Sequence, residues 1–284
     1  MYTRTVAADI RIGELSRRTG VSPELLRAWE RRYGLLRPER SAGGYRLYSS
    51  DDEHRVRAMT AELERGISAS EAARLSLGDR TDLPSAGTLV EALMRFDDVG
   101  AHAALDRLLS SLTLETVLRD SVLPGLRDLG ERWQRREITI AQEHFASNLL
   151  RGRLLGLARG WDRGSGPRAL LACPTGEQHD LSLIAFGLAL REHGWRITYL
   201  GADTPVATIA ETATELRPAL VVMSAVDPAR LSVCAEELCE LAAQFPLALA
   251  GAGASETLAA KLGAIRLALG PIEAAAAVAA RERS

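Results

Sequence analysis

The stretch Ala169-Leu-Leu-Ala-Cys-Pro-Thr-Gly-Glu-Gln-His-Asp180 leads an apolar run into a loop carrying a glycine, two carboxylates and a histidine. A short apolar run bounded by turn residues reads as a buried strand. Similar runs follow at Ile197–Leu200, Leu220–Met223, Leu247–Ala250 and Ile265–Leu269. Helical periodicity fills the gaps near Leu181–Glu192, Ala207–Leu216, Ala229–Gln244 and Glu256–Leu262, and Pro271 opens a last, alanine-rich helix. This alternation predicts a doubly wound parallel sheet over residues 167–284. Ligands of such sheets bind beyond the carboxyl ends of the strands. There, His179 can offer a ring nitrogen to a metal, while Glu177 or Asp180 fixes its tautomer. Small residues follow the later strands, Ser224-Ala225 and Gly251-Ala252-Gly253, and let a flat ring or a nucleotide tail approach the backbone.

Upstream, residues 88–160 are helical in pattern: Leu89, Leu93 and Phe96; Leu105, Leu108 and Leu112; Val117, Val122, Leu126, Leu129 and Trp133; Phe145, Leu149, Leu150, Leu154 and Leu157. Four amphipathic segments predict a four-helix bundle. Thr139-Ile-Ala-Gln142 has capping-box spacing and marks the start of the fourth. Trp133 then closes the third helix and Glu143-His144 opens the fourth, at one end of the bundle. Linkers are expected at 79–87 and between Trp161 and Pro167.

The first 78 residues carry a different pattern. Ser22-Pro23-Glu24 reads as a helix start and Gly34 with Pro38 as its end. On a helix over Pro23–Arg32, Leu25, Leu26 and Trp29 can face a core while Glu24, Arg27, Arg31 and Arg32 face outward. Gly43-Gly44 marks a tight turn flanked by Arg40, Tyr45 and Arg46. Ser50 or Asp51 can cap a third helix, and Ser68–Leu75 reads as a fourth. Two helices across a tight turn predict a helix-turn-helix whose second helix enters the major groove of DNA, with the glycine turn as a wing on the phosphates. The candidate DNA-contacting set is Ser22, Glu24, Arg27, Arg31, Arg32, Tyr33, Arg40, Gly44, Tyr45 and Arg46.

Charge supports that division. The 284-residue chain has a formal net charge of −2. Met1–Tyr48 holds ten arginines against five carboxylates, so it carries +5 and the rest carries −7. A basic head on an acidic body suits phosphate contact at one end. No apolar run reaches the ~18 residues of a membrane span, and Met1–Ile10 lacks the apolar core of a signal peptide. Cys173, Cys234 and Cys239 form neither a C-x-x-C pair nor an even set, which disfavours a disulfide framework. A reducing cytoplasm is the expected setting. No P-loop, zincin motif or Ser-His-Asp arrangement points to an enzyme.

Val21-Ser-Pro-Glu-Leu-Leu-Arg-Ala-Trp-Glu-Arg-Arg-Tyr-Gly-Leu-Leu-Arg-Pro38, followed by Gly43-Gly-Tyr-Arg-Leu-Tyr48, closely resembles the MerR family. The resemblance implies a winged helix that binds a palindromic operator as a dimer. MerR-type metal sensors hold their ion with cysteines near a long dimerisation helix. No cysteine precedes Cys173 here, which removes that mode. The remainder resembles the cobalamin-binding module, a helical cap over a flavodoxin-like domain with an E/D-x-H-x-x-G motif, a later Ser and a Gly-rich turn. Trp133 with Glu143-His144 resembles the W-x9-E-H element of the light-sensing CarH/LitR group. These resemblances imply that His179 is the lower axial ligand of cobalt and that Trp133, Glu143 and His144 pack around the upper, adenosyl face. Ser224, Ala225 and Gly251–Gly253 would line the pocket for the nucleotide tail. The cofactor implied is adenosylcobalamin, and the partners are promoter DNA and further copies of the chain, as a homodimer or homotetramer. Two positions depart from the pattern. Ser182 replaces the motif's glycine, and Gln134 stands where the photosensitive group carries a histidine after the tryptophan. An amide is a poor cobalt ligand. These departures keep a second ligand class open, a bilin or haem with His179 and Cys173 as candidate attachment points, or no cofactor. A cobalamin-dependent methyltransferase or mutase subunit is the third reading, although such systems use a separate substrate barrel for which the chain has no room.

Overall fold

The computed structural model describes residues 10–41, 43–79 and 85–282. The expectation of a signal-free N-terminus and most of the 79–87 linker lie outside these residues. The chain divides into two compact units. One comprises residues up to Ala92 with Asp97–Ser121, the other Leu93–Phe96 with Val122 onward.

In the first unit, α1 (Ile12–Thr19) and α2 (Pro23–Tyr33) form the helix-turn-helix. The Ser22 hydroxyl accepts from the Leu25 N–H, Pro23 occupies the first helical position, and Gly34 ends the helix at φ 62°. Leu26 and Trp29 are buried with Leu15, Leu35, Tyr48, Val56 and Met59. A residue such as Trp29, once buried, contributes about 2–3 kcal/mol relative to exposure. Leu25 was expected to face this core but is 44% exposed. The buried stripe follows the i, i+3 pair Leu26 and Trp29, which turns Leu25 to the flank. Strands β1 (Glu39–Arg40) and β2 (Arg46–Leu47) pair antiparallel. Between them Gly44, at φ 79°, donates to the Ser41 carbonyl and closes the expected wing.

Helix α3 (Ser50–Glu64) is capped one residue earlier than expected, by Ser49. Asp52 lies three residues beyond Ser49, and the two exchange hydrogen bonds at 3.0 and 3.2 Å, a reciprocal box that neither Ser50 nor Asp51 makes. Helix α4 (Ala69–Ser76) follows, capped by Ser68. Next come α5 (Ala86–Met94), whose last residues belong to the second unit, α6 (Asp98–Ser111) and α7 (Leu114–Val117). The α3–α4 turn is joined by backbone bonds to the α6–α7 turn: Ser68 donates to Ser111 at 2.8 Å and Thr113 to Gly66 at 2.9 Å. Only glycine fits at 66. Its φ is +77°, and a Cβ there would collide with the Thr116 hydroxyl.

The π-helical turn Leu118–Val122 carries the chain from the first unit into the second, where α8 (Leu123–Gln134) packs on α9 (Ile140–Leu157). The predicted Thr139/Gln142 capping box is present, and Gln142 also donates to the Met94 carbonyl at 2.8 Å. The sheet that follows is parallel, with strands β3 (Arg168–Pro174), β4 (Arg196–Thr204), β5 (Leu220–Ser224), β6 (Leu247–Ala250) and β7 (Ile265–Arg266) in the order β4-β3-β5-β6-β7. Counted within the sheet, this is the 2-1-3-4-5 order of flavodoxin-like folds, with its switch point between β3 and β5. The intervening helices are α10 (Leu181–Glu192), α11 (Val206–Leu216), α12 (Pro228–Val233), α13 (Ala235–Gln244), α14 (Glu256–Leu262) and α15 (Pro271–Glu282). The helix expected over Ala229–Gln244 is two helices. The backbone leaves helical values at Cys234, φ −101° and ψ 21°. The last strand stops at Arg266 instead of Leu269, and the freed Leu267–Leu269 run lines a cavity. No helix among the described residues is long and apolar enough to cross a membrane.

The two glycines Gly66 and Gly78 separate backbone strain from steric crowding. Both have φ near +80°, but nothing lies within 4 Å of a Cβ at Gly78. Gly78→Ala is therefore expected to cost about 1 kcal/mol, the φ penalty alone, and Gly66→Ala at least about 2 kcal/mol. Equal melting temperatures for the two variants would contradict the close approach at Thr116.

Candidate functional site

The loop after β3 places His179 at the carboxyl end of the sheet, with its side chain 72% exposed. Glu177, 2% exposed, organises that loop. Its Oε1 accepts from the His179 backbone N–H at 2.9 Å and faces His179 Nδ1 at 2.6 Å, while Oε2 accepts from the Val226 N–H at 2.7 Å. A carboxylate only accepts, so the ring donates through Nδ1, and in the neutral tautomer this contact favours, Nε2 is the acceptor nitrogen. Burial pushes the Glu177 pKa up. The backbone N–H groups of His179 and Val226, and then the His179 ring, outweigh it and hold this carboxyl below the ordinary range. Of the two carboxylates proposed as the imidazole's partner, the structure selects Glu177. Asp180, 4% exposed, is engaged elsewhere: its Oδ1 accepts from Arg151 Nε at 2.8 Å and its Oδ2 from the Tyr199 hydroxyl.

A cavity of about 350 Å³ opens at the same end of the sheet. Ser182, Ser224, Gly251 and Ala252 of the expected set line it, with Leu183, Phe186, Leu267, Ala268 and Ala274 among the others. Ala225 and Gly253 are not among its lining residues but hold two of its loops together. The Gly253 N–H donates to the Ala225 carbonyl at 2.9 Å. A Cβ at Gly251 would collide with that same carbonyl oxygen. These glycines are required first by loop-on-loop contact, which in turn leaves bare backbone at the Gly251 part of the cavity wall.

Trp133 ends α8 and is 49% exposed, an indole available to a flat partner. Glu143 lies in the first turns of α9, where its Oε1 accepts from the Ser147 hydroxyl at 2.6 Å. His144 Nε2 stands 3.6 Å from the other Glu143 oxygen, with its side chain 69% exposed. Sequence reasoning missed Arg151, Tyr199 and the Leu267–Gly270 lining. Only Arg151 had a readable signal, its i, i+4 spacing after Glu143 and Ser147.

Cys173, proposed as an attachment point for another tetrapyrrole, is fully buried in β3. Burial, then the charges of Asp180 and Glu177, push its thiol up to about 12. A thiol so placed stays protonated and unreactive at neutral pH.

In the other unit, Arg27, Arg31 and Arg32 are exposed along α2, as are Ser22 and Glu24, while Arg40, Gly44, Tyr45 and Arg46 are exposed on the wing. Tyr33 is half-buried beneath the Arg32 guanidinium, 5.5 Å from its ring. Glu30, absent from the expected set, ties wing to helix: its two oxygens accept from Arg46 Nε at 3.0 Å and from the Tyr48 hydroxyl at 3.1 Å. Burial, then Glu30, push the Tyr48 phenol up to about 12.

Two outcomes follow from this geometry. Alkylation of the native protein at neutral pH should label exposed Cys239 and spare Cys173, read by peptide mass spectrometry. Rapid labelling of Cys173 would contradict its burial. Removing Arg27 or Arg46 should weaken operator binding and reduce the salt slope by about 1 for each phosphate no longer neutralised. Unchanged affinity and slope in both would place the DNA surface elsewhere.

Comparison with known proteins agrees with this arrangement. Residues 10–78 match the MerR HTH family of regulatory proteins. Residues 86–155 and 167–279 each match a B12 binding domain. The chain is 37% identical over 262 residues to the HTH-type transcriptional repressor CarA of Myxococcus xanthus, covering 88% of each chain. It is 32% identical over 243 residues to the repressor CarH of the same organism, covering 79% of each. Among solved structures, the monomethylamine corrinoid protein of Methanosarcina barkeri aligns with a TM-score of 0.58 at 18% identity, covering 68% of this chain and 96% of that one, a likeness of fold alone. The chain belongs to the MerR-type transcriptional regulators that carry B12-binding domains, the group of CarA and CarH.

Proposed function

We propose that this protein is a cytoplasmic, non-enzymatic repressor that binds its operator as a homo-oligomer when adenosylcobalamin is bound and releases it on illumination. The observation that supports the reading best is the exposed imidazole of His179, oriented through Nδ1 by a buried carboxylate, near a cavity that Ser182, Ser224, Gly251 and Ala252 help to line. The donor set fits the cofactor. Among the described residues no group of three or more His, Cys, Asp or Glu could hold a metal ion. A lone imidazole suits a metal whose remaining ligands come with a macrocycle.

In this reading His179 would supply a nitrogen ligand to the cobalt, and Glu177 would raise its basicity through the Nδ1 proton. Ser182, Ser224, Gly251 and Ala252 receive the nucleotide tail. Trp133, Glu143 and His144 would pack against the bound cofactor. The bound cofactor supplies a cobalt centre and, in its adenosyl form, a cobalt–carbon bond that light can cleave. Gln134, beside Trp133, would offer the metal no strong ligand. Arg27, Arg31 and Arg32 read or grip the major groove while Arg40 and Arg46 hold the flanking phosphates.

Titration of the full chain with adenosylcobalamin in the dark tests this. A cobalt absorbance signature, a larger species in solution and tighter operator binding are expected together, followed by reversal on illumination. His179→Ala should weaken cofactor retention about 10–100-fold. Absence of both the cobalt spectrum and any ligand-linked change in size would overturn the proposal.

A further inference from the structure

Arg151 lies on α9, outside the residues implied by the resemblance. Its guanidinium makes three bonds. Nη1 donates to Asn148 Oδ1 at 3.1 Å, Nε to Asp180 Oδ1 at 2.8 Å and Nη2 to the Gln178 carbonyl at 3.2 Å. The last two land on the residues immediately before and after His179. One planar fork thus grips both flanks of the loop position that Glu177 orients from within.

The behaviour of Asp180 supports a dedicated clasp. Asp180 is the N-cap residue of α10, and aspartate at that position ordinarily bonds the first free N–H groups of the helix. Here its side chain makes no capping bond. Both oxygens are instead committed to Arg151 and to Tyr199 on β4. At 4% exposure, this carboxylate depends on the Arg151 charge to offset its desolvation.

Helix geometry gives the clasp its reach. Glu143, Ser147 and Arg151 are spaced i, i+4, i+8, so they share one face of α9. Ser147 already donates to Glu143 on that face. The span from Glu143 to Arg151 is about 12 Å at 1.5 Å per residue.

We propose that Arg151 is the positioning residue that fixes the His179 loop to α9, so that the imidazole and the Glu143–His144 turn are held by one rigid helix. This inference rests on the cobalamin reading above. Without the guanidinium, Asp180 loses its counter-charge and swings to cap α10, carrying the loop away from its present course. The imidazole then meets cobalt less often, although the tail cavity is untouched.

The test compares the full-length wild type with Arg151→Met, Arg151→Lys, Asp180→Asn and His179→Ala. Hydroxocobalamin and adenosylcobalamin are the probes, and hydrogen exchange of residues 176–180 is followed in the cofactor-free protein. Arg151→Met is expected to bind cobalamin about 10–100-fold more weakly. Part of its bound cofactor should show the absorbance of the His179→Ala complex, and its loop amides should exchange faster. Arg151→Lys, a point charge without the fork, should recover part of each effect. Asp180→Asn keeps the shape but loses the charge, and should share the faster exchange if Arg151→Met fails to fold. Wild-type affinity, spectrum and exchange in both Arg151→Met and Asp180→Asn would overturn the proposal. Failure of the wild type to bind either cobalamin would instead sink the cofactor reading, and the exchange measurement would still decide the clasp: faster loop exchange upholds it, and unchanged exchange overturns it.

Discussion

A buried carboxylate holding an exposed imidazole is the constraint on which the B12-binding half of this molecule depends. Glu177 sits at 2% exposure and survives there as a carboxylate because backbone N–H groups from two loops converge on it. The cost of desolvating its charge is offset by those bonds, which join the loop after β3 to the loop after β5 across the switch point of the sheet. The imidazole inherits its direction from this arrangement. Remove the convergence and His179 becomes an ordinary surface histidine.

The same end of the sheet is shaped by backbone crowding. Ala225 presses its carbonyl against Gly251 and Gly253, and Gly251 forms part of the wall of the cavity beside them. Around it, Asp180 and Arg151 connect the loop to the helical region. Three kinds of support, carboxylate, guanidinium and glycine contact, surround a single exposed imidazole. In the DNA-binding unit Glu30 has a comparable place, since one carboxylate sets the wing arginine and the buried Tyr48 against the recognition helix.

Much of this was legible in the sequence, for physical reasons. Strand and helix alternation marked out the parallel sheet, because its inner strands β3, β5 and β6 are buried on both faces and read as apolar runs. The Ser22-Pro23 start and the Thr139/Gln142 box declared themselves through capping chemistry that is local in sequence. Features set by tertiary context were not legible. Leu25 looks like a core residue until its register on α2 is known. The break at Cys234 and the early end of β7 depend on packing that no local pattern encodes. Glu177 and Asp180 were equivalent candidates on paper. Only the positions of Val226, Arg151 and Tyr199, residues distant in sequence, separate their roles.

The central claim is that one side-chain nitrogen of this chain binds cobalt. Electron paramagnetic resonance of the protein loaded with the Co(II) form of cobalamin addresses it directly, because the unpaired electron couples to the axial nitrogen nucleus. The account predicts three-line superhyperfine splitting that collapses to two lines when the protein is labelled with ¹⁵N-histidine, and that loses its sensitivity to the label in His179→Ala. A pattern indifferent to the label in the wild type would show that the cofactor's own base, or no nitrogen at all, occupies that position.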